Sequence, residues 1–168
     1  YILISINRIM KIRVFLKKDS KELSRLLKEF LSYTRKYYSK RVLEFDNYTN
    51  SRKISYIKEI LNNFKNQKHS RFLIAEEESK IVGYIIGVVD KNPNRVMKKS
   101  GHIKSFFVSE KSREKGVGKK LYLSLVDWFK KQKCDHLELD VFDGNEKTIS
   151  MYKKWGFKEN LIKLKKRL

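Results

Sequence analysis

The feature that most constrains the fold is an uninterrupted series of strand, turn, helix and strand over residues 102–142. A hydrophobic run, residues 102–109, leads into a turn that contains two glycines. Residues 116–133 then carry apolar side chains on two adjacent helical stripes, which predicts a well-buried amphipathic helix. Residues 136–142 alternate apolar and polar side chains, which predicts a strand with one apolar face. This order predicts a parallel pair of strands joined by a right-handed crossover.

The sequence upstream of this unit predicts a strand and two helices. Residues 11–16 have the composition of a strand, and Asp19 followed by Glu22 predicts a capping box at the start of an amphipathic helix. Residues 33–50 lose this periodicity and carry several tyrosines, which is typical of a loop or a broken helix. Ser51 is placed to cap a second helix, whose apolar residues again recur at helical spacing.

The remaining elements complete a mixed sheet. Residues 71–75 and 80–89 are two β-rich runs at hairpin spacing, so we expect them to pair antiparallel. Asn145 is placed to cap a last helix that ends near Trp155, and residues 161–167 predict a final short strand. The fold class is therefore α/β, with a mixed, mostly antiparallel sheet and helices on both of its faces.

Length and composition fit one folded domain. The chain has 168 residues, of which 40% are hydrophobic and 12% aromatic, too many for a disordered chain. We expect a single domain over residues 10–168, with residues 1–9 as an N-terminal extension. The longest apolar run, residues 81–89, is too short to cross a bilayer, and no secretory signal is recognisable. These features predict a cytoplasmic protein without a membrane partner.

Net charge and cysteine content limit the classes of partner and metal that the chain is expected to bind. Lys and Arg number 40 against 19 Asp and Glu, which gives a net charge of +21. Such a field attracts phosphates and repels polycations over roughly a Debye length, so we expect anionic partners or partners with an anionic part. The charge alone does not distinguish three explanations for it: binding of nucleic acid, binding of a nucleotide cofactor, and solubility. The single cysteine, Cys134, excludes an internal disulfide, and no Cys/His zinc spacing can be written, so no metal is expected.

The turn between the strand and the helix has the composition of a phosphate-binding loop. Gly116 and Gly118 would let backbone amides converge on an anion at the positive end of the helix. A Walker loop is excluded because Arg113 and Lys120 stand where it needs Gly and Ser or Thr. A dinucleotide fingerprint is excluded because Leu121 stands where it needs a third glycine. The loop therefore predicts an anion site of another kind.

Two motifs resemble those of the GNAT superfamily of acyl-CoA-dependent N-acyltransferases. The first, which resembles the family's pyrophosphate-binding motif, reads Arg113-x-x-Gly116-x-Gly118. The second, which resembles the family's element N-x-x-A-[IV]-x-x-Y-x-x-x-G-F, reads Asn145-x-x-Thr148-Ile149-x-x-Tyr152-x-x-x-Gly156-Phe157. Thr148 stands where the family usually has Ala. Within the superfamily, these motifs are most similar to those of the ribosomal-protein alanine acetyltransferases.

The resemblance implies an N-acetyltransferase that uses acetyl-CoA as its cofactor. An amine would attack the thioester directly, through a tetrahedral intermediate. The end of the strand and the glycine turn would hold the cofactor where the parallel pair splays apart. The implied cofactor-binding residues are Phe106, Phe107, Val108, Arg113, Glu114, Lys115, Gly116, Val117, Gly118, Lys119, Asn145 and Tyr152.

The implied reaction needs a base for the ammonium of the acceptor and an acid for the leaving thiolate. Asp140 and Glu138 are the candidate bases on the polar face of their strand, with water as the other alternative. Asp140 is favoured, because the ribosomal-protein alanine acetyltransferases place a Glu at the equivalent position, five residues before Asn145. Tyr152 shares a helical face with Asn145, and a phenol with a pKa of ~10 can protonate a thiolate at neutral pH.

The acceptor stays open among a peptide N-terminus, a lysine and a small-molecule amine. The net charge argues against polyamines and strongly basic tails. Candidate acceptor-binding residues are Tyr33, Tyr37, Glu44, Asp46 and Glu138. The alternative function is a basic module that binds nucleic acid or the ribosome on the same scaffold, with nucleic acid a partner through net charge alone.

The end of the chain predicts self-association. Apolar side chains recur among the cations of residues 161–168, on a strand that would leave an exposed edge. We therefore predict a symmetric homodimer through this strand or the N-terminal segment, with pairing of the two segments within a monomer as the alternative.

Overall fold

The computed structural model describes residues 10–37, 40, 44, 55, 58–60 and 68–168. Five strands form one sheet, in the order β1-β2-β3-β4-β5. Their bounds are β1 Met10–Val14, β2 Ser70–Glu77, β3 Lys80–Lys91, β4 Lys99–Val108 and β5 His136–Leu139. Three helices are named here α1 Ser20–Tyr37, α2 Val117–Lys131 and α3 Glu146–Lys154.

The sheet is mixed, as the sequence predicts. Strands β1 to β4 pair antiparallel, whereas β4 and β5 pair parallel. The last parallel pair joins Ile103 to Leu139, but β4 continues to Val108, so the two strands part beyond Ile103. A register shift between β3 and β4 leaves Lys104 as an extra residue on β4, next to the point of parting.

Helices cover both faces of the sheet, which confirms the predicted layers. The core on the α1 face includes Leu23, Leu26, Leu27, Ile74 and Tyr84. The core on the α2 face includes Ile85, Ile103, Leu121, Leu125 and Phe129. Full burial of side chains of this size contributes about 1.5–3 kcal/mol each, so tertiary packing rather than helix propensity holds both helices on the sheet.

An ion pair between a partly buried arginine and a buried carboxylate joins β1 to the start of α1. The Asp19 carboxylate accepts hydrogen bonds from the Arg13 guanidinium at 2.7 and 3.0 Å and from the Leu16 backbone N–H at 2.8 Å. Arg13 also donates to Glu76 on β2, at 2.8 Å from its Nε. The predicted capping box of Asp19 with Glu22 is therefore wrong, because the carboxylate is bonded to Arg13 and Leu16 instead.

Two predictions at the C-terminal end differ from the structure. Strand β5 ends at Leu139 rather than at residue 142. The final strand predicted over residues 161–167 is wrong, since residues 157–168 have no regular secondary structure. Two apolar residues stand side by side there and three cations fill residues 165–167, so no strict alternation gives a strand one apolar face.

Other predictions fall partly or wholly outside the described residues. Residues 55 and 58–60, within the second predicted helix, are helical. Helix α1 runs through Tyr37, past residue 33 where the sequence predicts the start of a loop or a broken helix. Residues 1–9, predicted to be an extension, lie outside the described part. Among the described helices, none is long and apolar enough to span a membrane.

Candidate active site

The loop between β4 and α2 has the geometry of an anion site. Gly116 is the N-cap of α2 with φ of 77°, and a Cβ added there would meet no atom within 4 Å. Glu114 also has a positive φ, 63°. The Lys120 N–H donates to the Gly116 carbonyl at 3.1 Å, so the amides before Lys120 lie at the positive end of the helix. The loop thus offers unhindered backbone donors around Gly116.

Arg113 folds back onto the scaffold beneath this loop. Its Nε donates to the Val108 carbonyl at 2.9 Å. Its guanidinium carbon lies 3.8 Å from the ring centroid of Tyr33 and 5.2 Å from that of Phe107, which are cation–π distances. Tyr33, predicted to bind the acceptor, therefore lies beneath the loop predicted to bind the cofactor.

The side chains of the other residues predicted to bind the cofactor point in different directions. Three charged side chains of the loop are exposed, those of Glu114, Lys115 and Lys119. Val117 is buried, and a Cβ added to Gly118 would lie 3.2 Å from the ring of Phe106. Phe106 and Val108 pack on the α2 face, whereas Phe107 is buried on the α1 face. Because these side chains point in different directions, the backbone is the part of this segment that can face a single ligand.

Asn145 carries a buried acceptor at the start of α3. Its backbone carbonyl accepts hydrogen bonds from Thr148 and Ile149, each at 3.0 Å. Its side-chain Oδ1 is buried and has no hydrogen-bond partner among the described residues. Such an orphaned group costs about 1–3 kcal/mol, so a ligand that donates a hydrogen bond here would recover that free energy.

Tyr152 lies in an aromatic cluster on α3. It is 7% exposed and makes edge contacts with Trp155 and Phe157 at centroid distances of 5.8 and 5.5 Å. Trp155 in turn stacks on Tyr122 at 4.3 Å and lies 6.2 Å from Phe106 on β4. Burial raises the pKa of the Tyr152 phenol above its usual value, so the group keeps its proton at neutral pH.

Glu138 and Asp140 come together on the opposite face of the sheet. Both leucines of β5 pack on the α2 side, so Glu138 points to the α1 side. Asp140 follows β5 directly and is 92% exposed, with its Oδ2 3.4 Å from Nε2 of His102. The Oε1 of Glu138 lies 3.9 Å from Nδ1 of His102 and accepts a hydrogen bond from the Ser100 hydroxyl at 3.1 Å.

His102 is a residue of this site that sequence reasoning missed. Its ring is 16% exposed, and its Nδ1 lies 2.9 Å from Nζ of Lys104 and 4.0 Å from Oδ2 of Asp90. Asp90, His102 and Glu138 each bring one atom able to ligate a metal within 4.8 Å of the others. The contact depends on the register of three strands, so no spacing along the chain could reveal it.

The remaining predicted site residues are not brought together. Tyr37 is the last residue of α1, Glu44 is helical and exposed, and Asp46 lies outside the described residues. Tyr152 lies with the aromatic residues of the α2 side, whereas Asp140 contacts His102 on the α1 side. The predicted acid and base therefore lie on opposite sides of the opening between β4 and β5.

Comparison with known proteins agrees with this architecture. The sequence profile of the Acetyltransferase (GNAT) family matches residues 26–157. The chain therefore belongs to the GNAT acetyltransferase family.

The relatives and solved structures cover different shares of the chain. An N-alpha-acetyltransferase of Sulfurisphaera tokodaii is 32% identical over 94 residues, 52% of this chain and 56% of the relative, so the chain spans about half the length of this curated relative. A tetramutant protein from Bacillus halodurans has a TM-score of 0.78 at 22% identity, covering 94% of this chain and 99% of that one. An aminoglycoside N-acetyltransferase in complex with CoA has a TM-score of 0.67 at 19% identity, covering 99% and 100%. These structures support the fold.

Proposed function

We propose that the protein is an N-acetyltransferase that transfers the acetyl group of acetyl-CoA to a primary amine. The observation that carries the proposal is the unhindered loop around Gly116, at the end of the strand that parts from β5. Family membership supports it, and so does the solved relative that holds CoA. A nitrogen–carbon bond forms, the carbon–sulfur bond breaks, and the proton that the ammonium loses balances the one that the CoA thiolate gains.

The residues present fit acetyl-CoA. The amides of residues 114–119 would hold its pyrophosphate at the start of α2, and the exposed side chains of Lys115 and Lys119 would add positive charge. The backbone of residues 106–108 is free of β5 and would face the pantetheine arm. The orphaned Oδ1 of Asn145 would accept a hydrogen bond from an amide N–H of that arm. Bound acetyl-CoA supplies the activated thioester.

Two side chains would carry the protons. Tyr152 keeps a protonated phenol and, because it lies on the α2 side of the opening, would donate to the leaving sulfur. Asp140 would accept the proton of the ammonium, directly or through a water molecule, from the other side. Its exposed position lets an acceptor approach from solvent.

The acceptor site would lie beside Asp140. A cleft of about 220 Å³ opens between the start of β5 and the connection from β3 to β4. Asp90 and Glu138 line it together with three cations, Lys91, Arg95 and Lys98, and Asp140 is not part of its lining. The acceptor's ammonium group would therefore bind outside this cleft, at the carboxylates of Glu138 and Asp140 around His102. A peptide N-terminus, a lysine or a small-molecule amine would each present one, so a primary amine is the acceptor class proposed here.

A thiol-release assay with acetyl-CoA and a panel of primary amines tests this function. We expect CoA release that depends on the amine, with an acetylated product whose mass is that of the acceptor plus one acetyl group. A matched measurement of RNA binding at increasing salt tests the basic binding module. Failure of acetyl-CoA to bind, together with salt-sensitive RNA binding, would replace the enzyme with that module.

A further inference from the structure

We propose that His102 is a positioning residue that holds the Asp140 carboxylate through its Nε2–H, and that Lys104 selects this tautomer. The inference rests on the proposed function, since it assigns Asp140 as the base. Its geometry comes from two contacts of one imidazole ring. Nδ1 lies 2.9 Å from Nζ of Lys104, and Nε2 lies 3.4 Å from Oδ2 of Asp140.

The Lys104 contact determines the tautomer. An ammonium group only donates hydrogen bonds, so Nδ1 of His102 must offer its lone pair to Nζ. A neutral imidazole then carries its proton on Nε2, which is the nitrogen that faces Asp140. An Nε2–H so placed faces the Asp140 carboxylate at 3.4 Å, so it attracts that carboxylate electrostatically. It cannot also accept a proton from the acceptor, so His102 holds the base and is not itself the base.

The exposure of Asp140 explains why such a contact matters. The carboxylate is 92% exposed and lies beyond the end of β5, where no strand pairing fixes it. His102 is 16% exposed and is held within β4 by its pairing with Val88 and Glu138. The His102 ring, which is fixed within the sheet, thus restricts the orientations of the Asp140 carboxylate. A general base needs such a restricted orientation toward its substrate.

Other charged groups face the same ring from each neighbouring strand. Asp90 on β3 lies 4.0 Å from Nδ1, and also 4.0 Å from Nζ of Lys104. Glu138 on β5 lies 3.9 Å from Nδ1. Asp90 pairs with the Lys104 ammonium and so helps to keep it beside Nδ1. The two carboxylates by themselves favour a proton on Nδ1, but the ammonium at 2.9 Å opposes it because Nζ and an Nδ1–H would both be donors.

Nuclear magnetic resonance tests the tautomer without relying on activity. Long-range ¹H–¹⁵N spectra of the full chain at pH 7.5 resolve Nδ1 and Nε2 in each of its three histidines, and His102→Phe assigns the ring. We expect His102 in the Nε2–H form, and a change of its ring signals in Lys104→Met. Lys153→Met is the matched control, because Lys153 forms a surface pair with Glu159 at 2.8 Å away from the ring. An Nδ1–H form or an imidazolium in the wild type would overturn the proposal.

A double-mutant cycle tests the link to Asp140. We expect His102→Phe to lower kcat about tenfold, with little change in the thermal shift produced by acetyl-CoA, and His102→Gln to restore part of the loss because it keeps an N–H donor. In an Asp140→Asn background, His102→Phe should have no further effect on kcat. Additive losses would show that His102 acts independently of Asp140.

The outcomes separate this inference from the function on which it rests. If wild-type protein neither binds acetyl-CoA nor releases thiol, the proposed function fails and the positioning role fails with it, whatever the tautomer. If the wild type is active but the ring is in another form, or the cycle is additive, only the positioning role fails. Activity, an Nε2–H ring and a non-additive cycle together support both.

Discussion

At the scale of single residues, Tyr152 carries the most direct chemical prediction. We expect Tyr152→Phe to lower kcat by roughly 10²-fold, because removal of the hydroxyl takes away the proton donor to the leaving sulfur. Tyr122→Phe makes the same chemical change in the same aromatic cluster and should stay close to wild type. Steady-state kinetics with a saturating amine measures both. Equal losses in the two variants would indicate that packing, not proton donation, is what the hydroxyl provides.

The burial of Tyr152 also gives its pH dependence a definite sign. Burial disfavours the phenolate, so its pKa lies above the ordinary value and the donor stays protonated as pH rises. We therefore expect no loss of kcat attributable to this residue between about pH 8 and pH 10. A pH–rate profile of the wild type tests this. An alkaline loss that disappears in Tyr152→Phe would contradict it.

The sequence predicted some residue roles better than others. The glycines of the loop could be predicted because a phosphate site requires backbone donors at a helix start, a local property. The position of Tyr33 beneath Arg113 could not, since it depends on how α1 crosses the sheet. His102 was missed because its partners lie on three different strands.

At the scale of elements, the ion pair between Arg13 and Asp19 links β1 to α1. We expect Asp19→Asn to lower the free energy of unfolding by about 1–3 kcal/mol, because the partly buried Arg13 guanidinium loses one of its two charged partners and keeps only Glu76 of that pair. Glu22→Gln is the control. Glu22 is half-exposed and, among the described residues, pairs with Arg25 at 3.4 Å, so the change should cost less than about 1 kcal/mol. Urea unfolding measures both, and equal effects would contradict the structural role of Asp19.

The same pair predicts how stability changes with pH. Arg13 lowers the folded-state pKa of Asp19 below its unfolded value, so the stabilisation is present above the unfolded pKa and is lost as pH falls through the folded pKa. The difference in unfolding free energy between wild type and Asp19→Asn should therefore be constant above about pH 5 and shrink below about pH 4. Unfolding curves over this range test it, and a difference that persists at the acid end would argue against the pair.

Elements were predictable where local pattern and tertiary packing agree. The hairpin of β2 and β3 follows from two β-rich runs at hairpin spacing, and the helix α2 follows from helical stripes that pack on the sheet. The final strand over residues 161–167 failed because apolar content without alternation does not specify a face. The predicted capping box is wrong because the Asp19 carboxylate binds the Arg13 guanidinium, which lies on the neighbouring strand β1.

At the scale of the whole molecule, self-association stays a prediction, and it now rests on exposed apolar side chains rather than on a final strand. The strand that suggested it is absent, yet four apolar side chains there are at least 84% exposed: Leu161, Ile162, Leu164 and Leu168. We expect a symmetric dimer that covers them, favoured at ~0.5 M salt because salt screens repulsion between two chains of charge +21. Sedimentation at low and high salt tests it, with Ile162→Glu as the disrupting variant. A monomer under both conditions would contradict the dimer.

The central claim is that the loop around Gly116 binds acetyl-CoA, and the thermal shift produced by acetyl-CoA tests it most directly. At a ligand concentration of ~100 times Kd, binding stabilises the fold by roughly 2.7 kcal/mol. Gly116→Leu and Gly156→Leu each place a side chain at a positive φ, 77° and 91°, with no atom within 4 Å of the added Cβ. We predict a large shift in the wild type and in Gly156→Leu, and none in Gly116→Leu with a native circular dichroism spectrum. An undiminished shift in Gly116→Leu, or no shift in the wild type, would contradict the account.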